Sequence, residues 1–151
     1  MWKTFQYTFT WDIEVKKMVI KLETQAIRAI AIFEQITGVH IKDCLVTDEC
    51  IYFLIEPGKV GTAVGRNGSL AKHIEKMLGK RIKIYEYADT PEGLIKNMIP
   101  NVKNININGE EITIYVAPQD KFTIIGRNGR NIKVIKAFLE RCFSIKNVRL
   151  K

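Results

Sequence analysis

The stretch Ile124-Ile125-Gly126-Arg127-Asn128-Gly129-Arg130-Asn131-Ile132 has a counterpart earlier in the chain, where Gly65-Arg66-Asn67-Gly68 follows Val64. The offset is 61 residues, and it aligns Ile51 to Leu78 on Ile112 to Leu139 without a gap. Ile51 falls on Ile112, Pro57 on Pro118, Thr62 on Thr123, Lys72 on Lys133, Ile74 on Ile135 and Leu78 on Leu139. Two copies at so long a period do not make a solenoid. They predict two tandem domains of one α+β fold.

Working outward from the first loop, Ser69 to Leu78 reads as a helix stopped by Gly79, and Arg81 to Tyr87 alternates as a strand. Upstream, a short helix ends at Val64, after strands at Val39 to Val46 and Cys50 to Glu56 joined by Thr47-Asp48-Glu49. Before these, Glu23 to Ile36 carries a helical apolar stripe at Ala26, Ile27, Ile30, Phe33 and Ile36. The second copy repeats the order. Thr90-Pro91 caps a helix to about Met98. Strands at Val102 to Ile107 and Glu111 to Ala117 meet at Asn108-Gly109. Helix, loop and helix fill Gln119 to Cys142, and Ser144 to Leu150 is the last strand. The order helix, strand, strand, helix, loop, helix, strand is thus expected twice, over residues 18–87 and 90–151. Each copy should hold a three-stranded sheet packed by helices. Only Ala88-Asp89 separate them, which predicts domains held close together. Residues 1–17 form an extension. Phe5, Tyr7, Phe9, Trp11, Ile13 and Val15 alternate with polar residues, so it is either an added strand or upstream sequence with Met18 the natural start.

The composition fits a folded chain. Of 151 residues 46% are hydrophobic and 26% charged, with a net charge of +8. Length allows one ordinary domain or two small ones. No apolar run reaches the roughly 18 residues of a membrane span, and the N-terminus lacks the pattern of a secretory signal. Cys44, Cys50 and Cys142 are an odd set without CxxC spacing, which points to a reduced, cytoplasmic protein with buried thiols. A Cys44–Cys50 disulfide across the hairpin, or a zinc site built on His40, Cys44 and Cys50, are the alternatives. Asn67-Gly68-Ser69 matches a glycosylation acceptor that an intracellular chain does not use.

A glycine inside a helix costs about 1 kcal/mol relative to alanine, so a Gly-x-x-Gly between two helices needs a reason. Glycines open backbone angles closed to other residues and clear side chains from the approach of another backbone. The following helix then offers its N-terminal amides and the positive end of its dipole to a phosphate. Arg66 and Asn67, and again Arg127 and Asn128, present a guanidinium and an amide at the exposed centre of each loop. A plain helix-turn-helix connection is the other reading, and it does not explain why the Arg-Asn insert recurs. A nucleotide-binding loop is excluded. The Lys-Ser/Thr ending is missing, Phe122 replaces Gly61 in the second copy, and neither loop directly follows a strand.

Charge sits where the loops are. Residues 59–87 carry a net +5 and residues 119–151 a net +7, whereas the rest of the chain sums to −4. A basic stripe confined to particular elements is an electrostatic footprint of nucleic acid. The core faces of the two long helices are expected at Leu70, Ala71, Ile74, Met77 and Leu78, and at Ile132, Ile135, Phe138, Leu139 and Cys142. Lys72, Lys76, Arg130, Lys133 and Lys136 fall outside them. No Ser/His/Asp, Cys/His or paired-carboxylate set occurs in both copies, and His40 and His73 have no partner at catalytic or metal spacing. The expectation is a binding protein rather than an enzyme, with no cofactor, metal, membrane or small-molecule substrate.

Val64-Gly65-Arg66-Asn67-Gly68 and Ile124 to Ile132 resemble the KH-domain signature (V/I)-I-G-x-x-G-x-x-I. Two strands before the loop, one after it and a leading helix resemble the type II arrangement. The stretch from Met18 to Lys151 resembles the archaeal NusA-like transcription factors, stand-alone pairs of KH domains, most of all in Ile27 to Glu34 and Gly126 to Lys133. The resemblance implies single-stranded RNA gripped by both loops, about four nucleotides per domain lying in an apolar groove, and a role in transcription elongation or termination. Carried over by position, Gly65, Arg66, Asn67 and Gly68, with Gly126, Arg127, Asn128 and Gly129, would hold phosphates. Ala63, Val64, Ile124 and Ile125 would border the bases, and Lys72, Arg130 and Lys133 would add charge. Ala71 stands where the signature has a larger aliphatic, so the first groove is expected to be shallower. Bacterial relatives add a polymerase-binding N-terminal domain and an S1 domain that these 151 residues do not contain, which leaves polymerase contact open. Other KH proteins serve the ribosome or RNA processing, and a fold of this kind can also act as a protein-interaction scaffold.

Overall fold

A computed structural model describes residues 23–151. The expected strand at Phe5 to Val15 lies outside the described residues. Helix α1 covers residues 23–37. It leads into strands β1 (Ile41–Val46) and β2 (Cys50–Ile55), helices α2 (Val60–Val64) and α3 (Ser69–Leu78), and strand β3 (Arg81–Glu86). The second half runs α4 (Pro91–Met98), β4 (Asn104–Asn108), β5 (Glu111–Tyr115), α5 (Lys121–Ile125), α6 (Arg130–Phe143) and β6 (Asn147–Leu150). The expected order is therefore present in both halves, with strand ends shifted by one to three residues. The second hairpin turns on Gly109-Glu110, one place later than expected, because Asn108 still pairs with Glu111 in the ladder.

Each half builds a three-stranded sheet with the hairpin antiparallel and the last strand parallel to the middle one. The parallel pairing requires a crossover connection, and the helix, loop, helix segment supplies it. This is an α+β fold in which the glycine loop interrupts the crossover and is held by the strands at either end.

The two middle strands differ in a way that organises the molecule. All six residues of β2 are buried, while β5 alternates buried and half-buried. Ile51, Phe53 and Ile55 of β2 pack with Ala29 and Phe33 of α1, Ala63 of α2 and Ile74 of α3. Cys50, Tyr52 and Leu54, on the other face, join a core with Leu94 and Ile95 of α4, Ile112 and Ile114 of β5, and Ile135 and Phe138 of α6. The first sheet is thus covered by its own helices on one side and by the second half on the other. A strand covered on both faces reads as a continuous apolar run, which is why β2 is Cys-Ile-Tyr-Phe-Leu-Ile.

Further contacts join the halves. Arg141 on α6 pairs with Asp43 on β1 at 2.8 Å. Tyr87 stacks on Phe143 with ring centroids 6.4 Å apart. Burial of Asp43 raises its carboxyl pKa, outweighing the pull of the Cys44 amide and of Arg141. Val134, which the sequence pattern leaves off the core stripe, is buried by this junction, beside Leu45. Two expected core residues are exposed instead: Ile27 at 68% and Met77 at 49%. Ala29, two places along α1 from Ile27, is the buried member of that turn.

Cys44 and Cys50 serve opposite cores, so no disulfide forms across the hairpin and all three cysteines are free thiols. Burial, and then the neighbouring Asp43, push the Cys44 thiol up to about 12, so it stays protonated at neutral pH. No cluster of three or more His, Cys, Asp or Glu side chains able to hold a metal occurs among the described residues, and none of their helices is long and apolar enough to cross a membrane.

Candidate nucleic-acid interface

The two glycine loops share one backbone path. Gly65 has φ 79° and ψ 174°, Asn67 φ 54° and ψ 28°, and Gly68 φ 72° and ψ 17°. Gly126, Asn128 and Gly129 repeat these at 75° and 170°, 57° and 27°, and 71° and 18°, so every angle agrees within 4°. Three residues in four have positive φ. Gly65 and Gly126 occupy a region open essentially to glycine alone. Asparagine is among the few other residues that adopt a left-handed conformation readily, which gives Asn67 and Asn128 a backbone reason for being there in addition to their exposed amides.

The first glycine of each loop is also sterically required. A Cβ at Gly65 would stand 2.7 Å from Leu70 Cγ, and one at Gly126 2.8 Å from Asn131 Cγ. Asn131 in turn donates from its side chain to the Thr123 carbonyl at 3.1 Å, tying the start of α6 to α5. Gly126→Ala is therefore expected to cost about 1–3 kcal/mol, read as a lower urea midpoint with an unchanged slope. Gly129→Ala, whose Cβ would meet only ordinary contacts with Ile132 at 3.8 Å and Lys133 at 3.9 Å, carries the angular strain alone and should cost less.

Helices α3 and α6 begin at Gly68 and Gly129 with no side-chain cap and no acidic residue in the first turn. Neither helix therefore has its N-terminal potential offset by a carboxylate of its own first turn. Arg66, Asn67, Arg127 and Asn128 are exposed, as are Lys72 and Lys133, one turn into the helices. Val64 is half-buried and Ile125 is 37% exposed. Ala63 and Ile124, expected beside the bases, are core residues at 0% and 7% exposure. Their neighbours Val64 and Ile125 are the apolar groups that reach the surface.

Packing of the halves gives the second loop a setting the sequence did not suggest. Arg127, Asn128, Arg130 and Lys133 line a cleft of about 320 Å³ whose opposite wall is Leu45, Val46 and Thr47 of the first half. A second cleft of about 650 Å³ lies beside it, between the β1–β2 turn, β3 and the start of α6. Its walls mix Lys80, Arg81, Lys83 and Arg130 with Asp48, Glu49 and Glu75. Arg130 is held there by an ion pair with Glu49, so it meets a carboxylate of the first half before any ligand phosphate.

The profile of the KH domain matches residues 27–96, the stretch that carries the first sheet and the first glycine loop, and makes this a KH-domain protein. The match runs past β3 into α4, whose Asn97 side chain donates to the Glu86 carbonyl at 2.8 Å. A probable transcription termination protein NusA from Halococcus morrhuae is 34% identical over 138 residues, covering 88% of this chain and 99% of the relative. One of the same name from Methanococcus vannielii is 31% identical over 139 residues, covering 88% of this chain and 80% of the relative. The crystal structure of APE1850 superposes with a TM-score of 0.71 at 32% identity, over 85% of this chain and 99% of that one. The chain belongs to the archaeal NusA family of KH-domain proteins.

Proposed function

We propose that the chain is an RNA-binding factor of transcription termination and antitermination, in which tandem type II KH domains at residues 18–87 and 90–151 hold one single-stranded RNA. The observation that carries this reading is the recurrence of one loop geometry, Gly-Arg-Asn-Gly, at the uncapped start of a basic helix in each half. One such loop is explained by a tight turn. Two with the same exposed Arg-Asn pair at their centres fit two grips on a repeating polymer, and a phosphodiester chain is a polymer of anions at regular spacing. The loop amides and Arg66 or Arg127 take phosphate oxygens. Val64 and Ile125 provide the apolar edge for the bases, and Lys72, Arg130 and Lys133 hold the strand against the helices.

The family relationship supports the pathway, and cytoplasmic RNA bound to RNA polymerase is the setting it implies. A competition experiment tests the RNA class. Unlabelled single-stranded RNA should displace a labelled single-stranded probe, and duplex RNA of the same length should not, because a duplex cannot splay its bases into a groove beside the loop. Equal displacement by duplex would reduce the loops to general phosphate binders and remove the proposed base contact. Co-sedimentation with ribosomal subunits rather than polymerase would move the protein to translation.

A further inference from the structure

Phe122 is 89% exposed, the highest value among the large hydrophobic side chains in the described residues. It lies on α5, and its carbonyl accepts the amide of Gly126 at 2.9 Å, which places it one turn before the second loop. Ile125 is three residues further on and also exposed, so the two side chains are neighbours on one face of the helix, while Ile124 turns into the core. The result is an aromatic ring and an aliphatic step beside the exposed Arg127-Asn128 pair. Such a ring left in water within a strongly basic segment is unlike a packing residue, and it belongs to neither core cluster.

The first loop has no equivalent. Gly61 occupies the matching position, and a Cβ built there has no heavy atom within 4 Å. The space would admit a side chain, so the fold does not force the difference between the copies.

We propose that Phe122 is a stacking platform for one base of the bound RNA, so that the second loop adds a stacked ring to the contacts the two loops share. The inference rests on the RNA-binding reading given above. A base presents a flat π-face of matching size and is carried on the phosphates the neighbouring cations attract, whereas an apolar protein partner has no use for the surrounding charge. Stacking of this kind tolerates any base, so Phe122 contributes affinity at one nucleotide position more than it selects a sequence.

Anisotropy with a labelled single-stranded RNA and with an abasic ribose-phosphate oligomer of equal length tests this. Phe122→Ala should weaken binding to the RNA by about 5- to 150-fold, leave binding to the abasic oligomer unchanged and keep the salt slope of the wild type. Phe122→Trp should retain wild-type affinity for the RNA. If Phe122→Ala binds the RNA as tightly as wild type, the ring is no platform and a protein-docking role takes its place. An equal loss on both oligomers would show that Phe122 supports the loop rather than a base. If the wild type binds neither oligomer, the RNA-binding reading itself fails along with this one.

Discussion

A protein carrying Arg66→Asp, Asn67→Asp, Arg127→Asp and Asn128→Asp is expected to fold normally and to bind single-stranded RNA about 100- to 20,000-fold more weakly than wild type. The magnitude follows from two charge-assisted Arg–phosphate contacts at about 1.5–3 kcal/mol each, before adding the repulsion of four new carboxylates. The fold should survive for reasons specific to these positions. All four side chains are exposed. The two asparagines sit at φ 54° and 57°, and aspartate shares asparagine's tolerance of that conformation. Circular dichroism and the urea midpoint provide the check on folding. A folded variant that binds like wild type would make the loops structural turns.

Leu54→Ala is expected to cost about 2–5 kcal/mol of stability, a large part of the total for a protein this size, and to lower the unfolding of both halves together. Leu54 is fully buried. It belongs by sequence to the first sheet, yet it packs among Leu94, Ile114 and Phe138 of the second half. Truncating it opens a cavity at the junction, so the loss should appear in every probe of folding. The comparison is Tyr115→Ala, at the equivalent position of β5 by the 61-residue offset. Tyr115 is only half-buried, and its loss should cost less. Chemical denaturation followed by probes in each half reads both results. Two separated transitions in wild type, with Leu54→Ala moving only the first-half probe, would contradict a shared core.

Much of this architecture is legible in the residues. The 61-residue repeat, the doubled element order and the glycine loops all follow from local signals: alternation, apolar stripes and turn residues. What escaped was set by contact between the halves. Cys50 to Ile55 stands out as the longest uninterrupted apolar run, but a single strand does not reveal that its second face will be covered by residues from Leu94 to Phe138. Val134 fails the helical stripe for the same reason, since it belongs to the shared core and lies beside Leu45 of β1. Ile27 and Met77 err in the opposite direction: they are apolar and near the stripe, but turned outward by a fraction of a helical turn. Arg66, Arg127, Lys72 and Lys133 are exposed, as the pattern of the helices and loops predicts. Ala63 and Ile124 are buried, and a helix of five residues has too few turns for periodicity to fix which side faces in. The left-handed conformation of Asn67 and Asn128 leaves a clear signal, an asparagine directly before a glycine in a tight loop. The solvent-facing ring of Phe122 leaves one too, in its mismatch with Gly61.

The most direct test of the central claim is the salt dependence of RNA binding, measured by fluorescence anisotropy on wild type and on the four-fold loop variant. Log affinity for a single strand falls with log salt by about 0.7 per phosphate neutralised. If Arg66 and Arg127 each neutralise one phosphate, the slope of the variant should be shallower than that of wild type by about 1.4, with the weaker affinity described above. Parallel lines of equal affinity would mean that neither loop touches the RNA backbone.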